Sequence, residues 1–156
     1  PIIPLGKDIG YLPGDKNEKL SVWMQPIYDN LDYLLHTEKR GESVKRKVDE
    51  LIRTGKLELE ALTYIRGRSI PHQFVIIDEA QNLTPHEVKT IVSRAGEDTK
   101  MVLTGDPEQI DNPYLDASSN GLSYIVERFK DLPLHGHITL RKSERSELAA
   151  AAAEYL

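Results

Sequence analysis

Cysteine is absent from the 156-residue chain, which rules out structural disulfides and thiolate metal centres. No apolar run approaches the roughly 20 residues that a membrane-spanning helix needs, and no secretory leader pattern is visible. A basic excess is also missing, since 20 lysines and arginines face 25 aspartates and glutamates for a net charge of -5. No global positive field therefore recommends nucleic acid, and only a local patch would bind it. The five histidines, His36, His72, His86, His135 and His137, show no metal-ligand spacing among themselves. The single tryptophan, Trp23, falls on the apolar side of a helical pattern and reads as core rather than as a base-stacking platform. No serine and histidine stand in an arrangement that suggests a nucleophile. The expectation is a cytoplasmic protein that does not bind membranes.

The length suits one domain with a sizeable core. The opening Pro1-Ile2-Ile3-Pro4-Leu5-Gly6 reads as the interior of something longer. Residues 1–16, punctuated by Pro4, Gly6, Gly10, Pro13 and Gly14, read as loop. Residues 17–56 form a helical region and residues 57–156 an α/β core. Apolar side chains recur at helical spacing from Lys19 to His36, with Pro26 kinking the stretch or opening a second helix. Arg40–Arg53 reads as an amphipathic helix closed by Gly55. Leu57–Leu62 alternates as a half-exposed strand does, and the turn Tyr64–Arg68 is rich in arginine. Phe74–Ile77 and Met101–Leu103 read as strands buried on both faces. Between them Thr84, Pro85 and Glu87 spell the start of a helix, as cap, first position and capping-box acid. Residues 111–117 read as irregular loop, Ser118–Lys130 as helix, Leu134–Leu140 as strand, and Ser143–Leu156 as an alanine-rich helix capped by Ser143. Strands alternating with helices predict a mostly parallel sheet, and the crossover between the two central strands has the length of a βαβ unit.

Both apolar runs end abruptly in acids and amides, Asp78-Glu79-Ala80-Gln81 after the first and Thr104-Gly105-Asp106-Pro107-Glu108-Gln109 after the second. Ligands of parallel sheets sit just beyond the carboxyl ends of the strands. Asp78, Glu79, Gln81, Asp106 and Gln109 are therefore expected at one edge, where they suit a magnesium nucleotide. Asp78 is the expected holder of a metal-bound water, and Glu79 the base that orients an attacking water. Gln81 and Gln109 are neutral groups for sensing a γ-phosphate. Asp106 would hold the water or pin Gln109. Alone, an apolar run before Asp-Glu is most often a strand end with solvated acids, and Gly-Asp is a common turn. The two together, one βαβ unit apart, point to nucleotide hydrolysis. Arg66, Arg68, Arg94, Arg141, Lys142 and Arg145 are the basic candidates to complete the site, Arg141 and Arg145 because they follow the last expected strand.

Four stretches then resemble the PhoH-like ATPases, in that family's order and over nearly the whole chain. They are Asp8-Ile9-Gly10-Tyr11-Leu12-Pro13-Gly14, Ile65-Arg66-Gly67-Arg68, Ile76-Ile77-Asp78-Glu79-Ala80-Gln81-Asn82 and Thr104-Gly105-Asp106-Pro107-Glu108-Gln109-Ile110-Asp111. The tail Leu140–Ser146 looks most like members that carry an N-terminal PIN ribonuclease domain. The resemblance implies a RecA-like P-loop NTPase core related to superfamily-one helicases. It implies Asp78 and Glu79 as the Walker B pair, Gln109 as phosphate sensor and Arg145 as arginine finger. It further implies ATP and magnesium as cofactors, a hexameric ring, and single-stranded RNA as substrate; the reading of the residues themselves adds Gln81, Asp106 and Arg141 to the expected nucleotide contacts.

One departure stands out. The phosphate loop Gly-x-x-x-x-Gly-Lys-Ser/Thr does not occur in this sequence, and Gly6-Lys7 matches it only superficially. The chain is expected to be the C-terminal part of an ATPase domain, inactive alone. The competing expectations are a non-catalytic module for oligomerisation or RNA docking, and a doubly wound domain whose acidic edge binds a metal or small ligand without hydrolysis.

Overall fold

The computed structural model describes residues 25–35, 44–58, 60, 62, 65, 67–141 and 146–155. The elements run α1 (Gln25–Leu35), α2 (Val44–Arg53), β1 (Phe74–Ile77), a short 3-10 turn (Ala80–Asn82), α3 (Pro85–Val92), β2 (Lys100–Leu103), α4 (Gly121–Phe129) and α5 (Glu147–Tyr155). No helix among the described residues is long and apolar enough to cross a membrane.

The two strands pair in parallel, from Phe74 opposite Lys100 to Ile77 opposite Leu103. An isolated bridge between Ile70 and Ala95 extends the parallel alignment upstream. Parallel neighbours need a crossover, and α3 supplies it. Its start is built as the residue types predict. The Thr84 hydroxyl accepts the Glu87 amide proton at 3.2 Å, and the Glu87 carboxylate accepts the Thr84 amide proton at 2.8 Å. Pro85 occupies the first position, where its missing N–H costs nothing. Such a cap contributes about 1 kcal/mol.

Ile77, Ala80, Leu83, Val88, Ile91 and Ile125 form the buried core, with Val75, Met101, Leu103, Leu122 and Phe129 packed against it. Thus α3 and α4 cover one face of the sheet. The buried Asn120 caps α4 through the Ser123 amide at 2.9 Å and donates its own amide protons back to the 116–117 carbonyls. Ahead of it, Asp116 gathers the Ser118 hydroxyl and the Ser118 and Ser119 amides. Those hydrogen bonds, led by the Ser118 hydroxyl, hold its carboxyl down at a pKa of about 2.

Several expectations need correction. The strands are not buried on both faces, because Phe74 and Ile76 stand 65% and 64% exposed. Helices among the described residues cover the other side alone. Leu134–Leu140 is not a strand, and Leu134, Ile138 and Leu140 are exposed. An extended segment becomes a strand only with a hydrogen-bonded neighbour, and none of the described residues offers this one an edge. Leu57–Leu62 is likewise no strand where it is described. Residues 54–57 instead form the turn after α2, in which the Leu57 amide donates to the Leu51 carbonyl at 3.1 Å. Helix α4 starts later than expected, at Gly121 rather than Ser118, because Asn120 takes the cap. Of the two expectations for Pro26, the opening of a helix agrees with α1, which runs Gln25–Leu35 with Pro26 in its first turn. Trp23, the stretch Asp8–Gly14 and Ser143 lie outside the described residues.

Candidate functional site

The carboxyl ends of β1 and β2 release two loops, residues 78–84 and 104–112, that run side by side. Thr104 carries the parallel register one step past the strands. Its amide donates to the Ile77 carbonyl at 2.9 Å, and its carbonyl accepts the Ala80 amide proton at 2.9 Å. That step sets Thr104 beside Asp78, and the threonine hydroxyl donates to Asp78 Oδ1 at 2.7 Å. Both residues are exposed, and Asp78 Oδ2 has no partner among the described residues.

Glu79 sits in the left-handed region, at φ 57° and ψ 37°. For a residue with a Cβ this costs roughly 1–2 kcal/mol. The reversal feeds the tight turn Ala80–Asn82 and returns Gln81 towards Glu79. Gln81 is 1% exposed. Its amide nitrogen donates to Glu79 Oε2 at 2.7 Å and to the Gln109 carbonyl at 2.9 Å, and its oxygen accepts the Asp106 amide proton at 3.2 Å. A carboxamide nitrogen has two protons, so both are in use. Gln81, one of the two glutamines expected to sense a γ-phosphate, is thus placed with no amide proton to spare. It is buried and its donors are committed within the protein.

Gly105 makes room for this arrangement. A Cβ there would stand 2.2 Å from Gln81 Oε1 and 3.2 Å from the amide nitrogens of Ala80 and Gln81. The glycine is required by close approach. Asp106 fixes the far end of the loop, accepting the Gln109 side-chain amide at 2.7 Å on one oxygen and the Glu108 backbone amide at 3.0 Å on the other. Of the two tasks expected of Asp106, pinning Gln109 is the one whose contact is present. Gln109 itself is exposed. Asn82 completes the junction by accepting the Asp111 amide proton at 2.7 Å.

Thr104 and Asn82 escaped the sequence reading. For Thr104 a signal existed, because pairing two parallel runs that end together places the residue after Leu103 opposite the residue after Ile77. Nothing local marks Asn82.

Asp78, Glu79 and Asp106 thus gather at one edge, and none of them pairs with a lysine or arginine among the described residues. No group of three or more histidine, aspartate or glutamate side chains there forms a metal cage. The expected basic partners fare differently. Arg94 lies by Ile70, whose amide donates to the Arg94 carbonyl at 2.8 Å, at the amino end of the sheet and away from the acids. Arg68 stands 3.5 Å from Glu60 in an exposed pair. Arg141 is exposed and follows a segment that is not a strand, so the expected parallel strand does not bring it to the edge. Arg66, Lys142 and Arg145 lie outside the described residues.

A profile of the family described as PhoH-like protein matches residues 1–155. The chain belongs to the PhoH-like protein family. It is 61% identical to Protein PhoH2 of Bacillus subtilis (strain 168), over 100% of this chain and 34% of that protein. Protein PhoH2 of Mycolicibacterium smegmatis is 40% identical over 97% of this chain and 32% of its own length. The PhoH-like protein of Synechocystis is 37% identical over 85% of this chain and 37% of its own length. This PhoH-like chain therefore spans about a third of the curated relatives it matches. Its mixed α/β arrangement around a small parallel sheet is compatible with a P-loop-like PhoH fold.

Proposed function

We propose that the protein to which this chain belongs binds ATP with magnesium and hydrolyses it on a RecA-like core, in the cytoplasm. In the same reading, a hexameric ring couples turnover to the binding or remodelling of single-stranded RNA. Family membership supports an ATPase-like, nucleotide-binding function. The RNA, the ring and the arginine finger at Arg145 rest on family resemblance alone. A phosphate-binding loop would come from the parent protein outside this sequence.

One observation carries the ATPase reading. Two parallel strands deliver Asp78, Glu79, Asp106 and Gln109 to a single edge, where hydrogen bonds through Thr104 and Gln81 join the two loops. The donor set fits magnesium. A nucleotide-bound magnesium keeps several waters and takes only one or two protein carboxylates, and Asp78 has one oxygen held by Thr104 and the other without a protein partner among the described residues. When bound, the metal would neutralise charge on the phosphate oxygens. Glu79 acts as the base that orients the attacking water and takes its proton. Its Oε2 is held by Gln81, which leaves Oε1 for that task. Gln109 reports the γ-phosphate. One N–H of its side-chain amide donates to Asp106, and the second remains for a phosphate oxygen.

In the full-length protein, Glu79→Gln keeps magnesium-dependent ATP binding and lowers turnover by roughly 10²–10⁴. Steady-state hydrolysis and equilibrium nucleotide binding measure the two quantities. Unchanged turnover would remove Glu79 from the role, and absence of any nucleotide binding by the wild type would leave a docking module as the better reading.

A further inference from the structure

Gln81 is the one buried polar side chain of the edge that the hydrolytic reading leaves without a task. We propose that it is a positioning residue, which ties the Glu79 carboxylate to the loop carrying Asp106 and Gln109 so that the two move as one body. The proposal rests on the ATPase reading above and deepens it.

The geometry is specific. The amide of Gln81 makes contact with Glu79 Oε2 at 2.7 Å, the Gln109 carbonyl at 2.9 Å and the Asp106 amide at 3.2 Å. Its three partners thus comprise the proposed base, the backbone of the proposed sensor and the backbone of the residue that pins that sensor. The site has no slack. Gln81 is buried, and Gly105 lies so close that a single added carbon would stand 2.2 Å from Gln81 Oε1. A buried carboxamide with both donors and its oxygen engaged does not slide independently of its partners, since any one broken contact leaves a polar group unsatisfied. A displacement of Gln109 by a phosphate therefore shifts the Gln81 nitrogen, and that nitrogen carries Glu79 Oε2 with it.

The left-handed backbone of Glu79 points the same way. At φ 57° the residue has no intrinsic preference for this conformation, so its contacts keep it there: its carbonyl accepts the Asn82 amide proton at 3.0 Å, the Ala80 amide donates to the Thr104 carbonyl, and its carboxylate accepts from Gln81. Gln81 Nε2 is the only donor to the Glu79 carboxylate among the described residues. Without it the base has no fixed direction, whereas Asp78, assigned to the metal, is held by Thr104 and makes no hydrogen bond to Gln81. Loss of Gln81 should therefore impair the chemical step more than binding.

The test uses the full-length protein and four forms: wild type, Gln81→Met, Glu79→Gln and the double variant. Met approximates the shape of Gln and removes every hydrogen bond. The expected kcat for Gln81→Met is about 10- to 100-fold below wild type, the scale of a misplaced catalytic group, with KM for ATP within about threefold. The double variant should be no slower than Glu79→Gln alone, because a residue that acts through another adds nothing once its target is gone. If circular dichroism shows Gln81→Met unfolded, Gln81→Leu replaces it, since it is apolar, no larger than Gln and has no proton to donate to Glu79. Turnover at the wild-type level in either folded variant overturns the proposal. So do losses that multiply in the double variant, or a rise in KM as large as the fall in kcat. Those outcomes leave the ATPase reading standing. A wild-type protein that binds ATP without hydrolysing it overturns both.

Discussion

Val75, Ile77, Met101 and Leu103 line one face of the small sheet, and Phe74, Ile76 and Val102 line the other with Lys100 at its rim. The side chains are of the same kind. On the first face they meet Val88, Ile91 and Ile125 from α3 and α4. On the second, Phe74 and Ile76 remain largely exposed. A continuous apolar run encodes burial on two sides, and the described residues supply a cover for one. The contrast separates two properties that composition merges. Apolarity states what a face is suited to, whereas burial depends on which element reaches it. The covered face also sets the height of the acidic edge, because the same helices that seal it anchor the turn Ala80–Asn82 through Ala80 and Leu83.

The sharpest way to break this comparison is to truncate neighbours on opposite faces. Ile77→Ala should cost about 2–5 kcal/mol in urea unfolding of this chain, while Ile76→Ala should cost about 0.5 kcal/mol or less. Equal losses would mean that the second face is covered. Next in size, Gly105→Ala should cost about 1–3 kcal/mol by forcing Gln81 aside, and the amide of Asp106 should lose protection in hydrogen exchange. Thr84→Ala removes one half of the capping box and should cost about 1 kcal/mol, read as a lower urea midpoint at unchanged slope. The smallest effect concerns Asp116, in the turn that leads into α4. Its folded pKa lies below the unfolded value, so its contribution is present above the ordinary carboxylate range and is lost as the pH falls towards about 2. The stability gap between wild type and Asp116→Asn should therefore narrow across that acid window, as followed by unfolding at stepped pH.

Much of this was legible in the chain because it is local. Thr84, Pro85 and Glu87 announce a helix start through contacts three residues apart. The strands announce themselves as the apolar runs Phe74–Ile77 and Met101–Leu103, and the spacing between them admits a single parallel crossover. The convergence of Asp78 with Asp106 and Gln109 follows from that pairing. What stayed hidden depends on distant partners. Gln81 reads as a free amide until Gly105 and Asp106, some 25 positions away, are seen to enclose it. Leu134–Leu140 has the composition of a strand but no neighbour to hydrogen-bond among the described residues. Periodicity records what a segment prefers and carries no news of whether an edge awaits it.

The stepwise clasp between the two loops has a further result. Ala80 binds Thr104, Gln81 binds Asp106 and Gln109, and Asn82 binds Asp111, rung after rung. Inserting or deleting a single residue between Gly105 and Asp111 would throw every later rung out of step. The span of this segment is consequently dictated by the neighbouring turn, and exchange of its residues other than Gly105, Asp106 and Gln109 is open to selection where change of length is not.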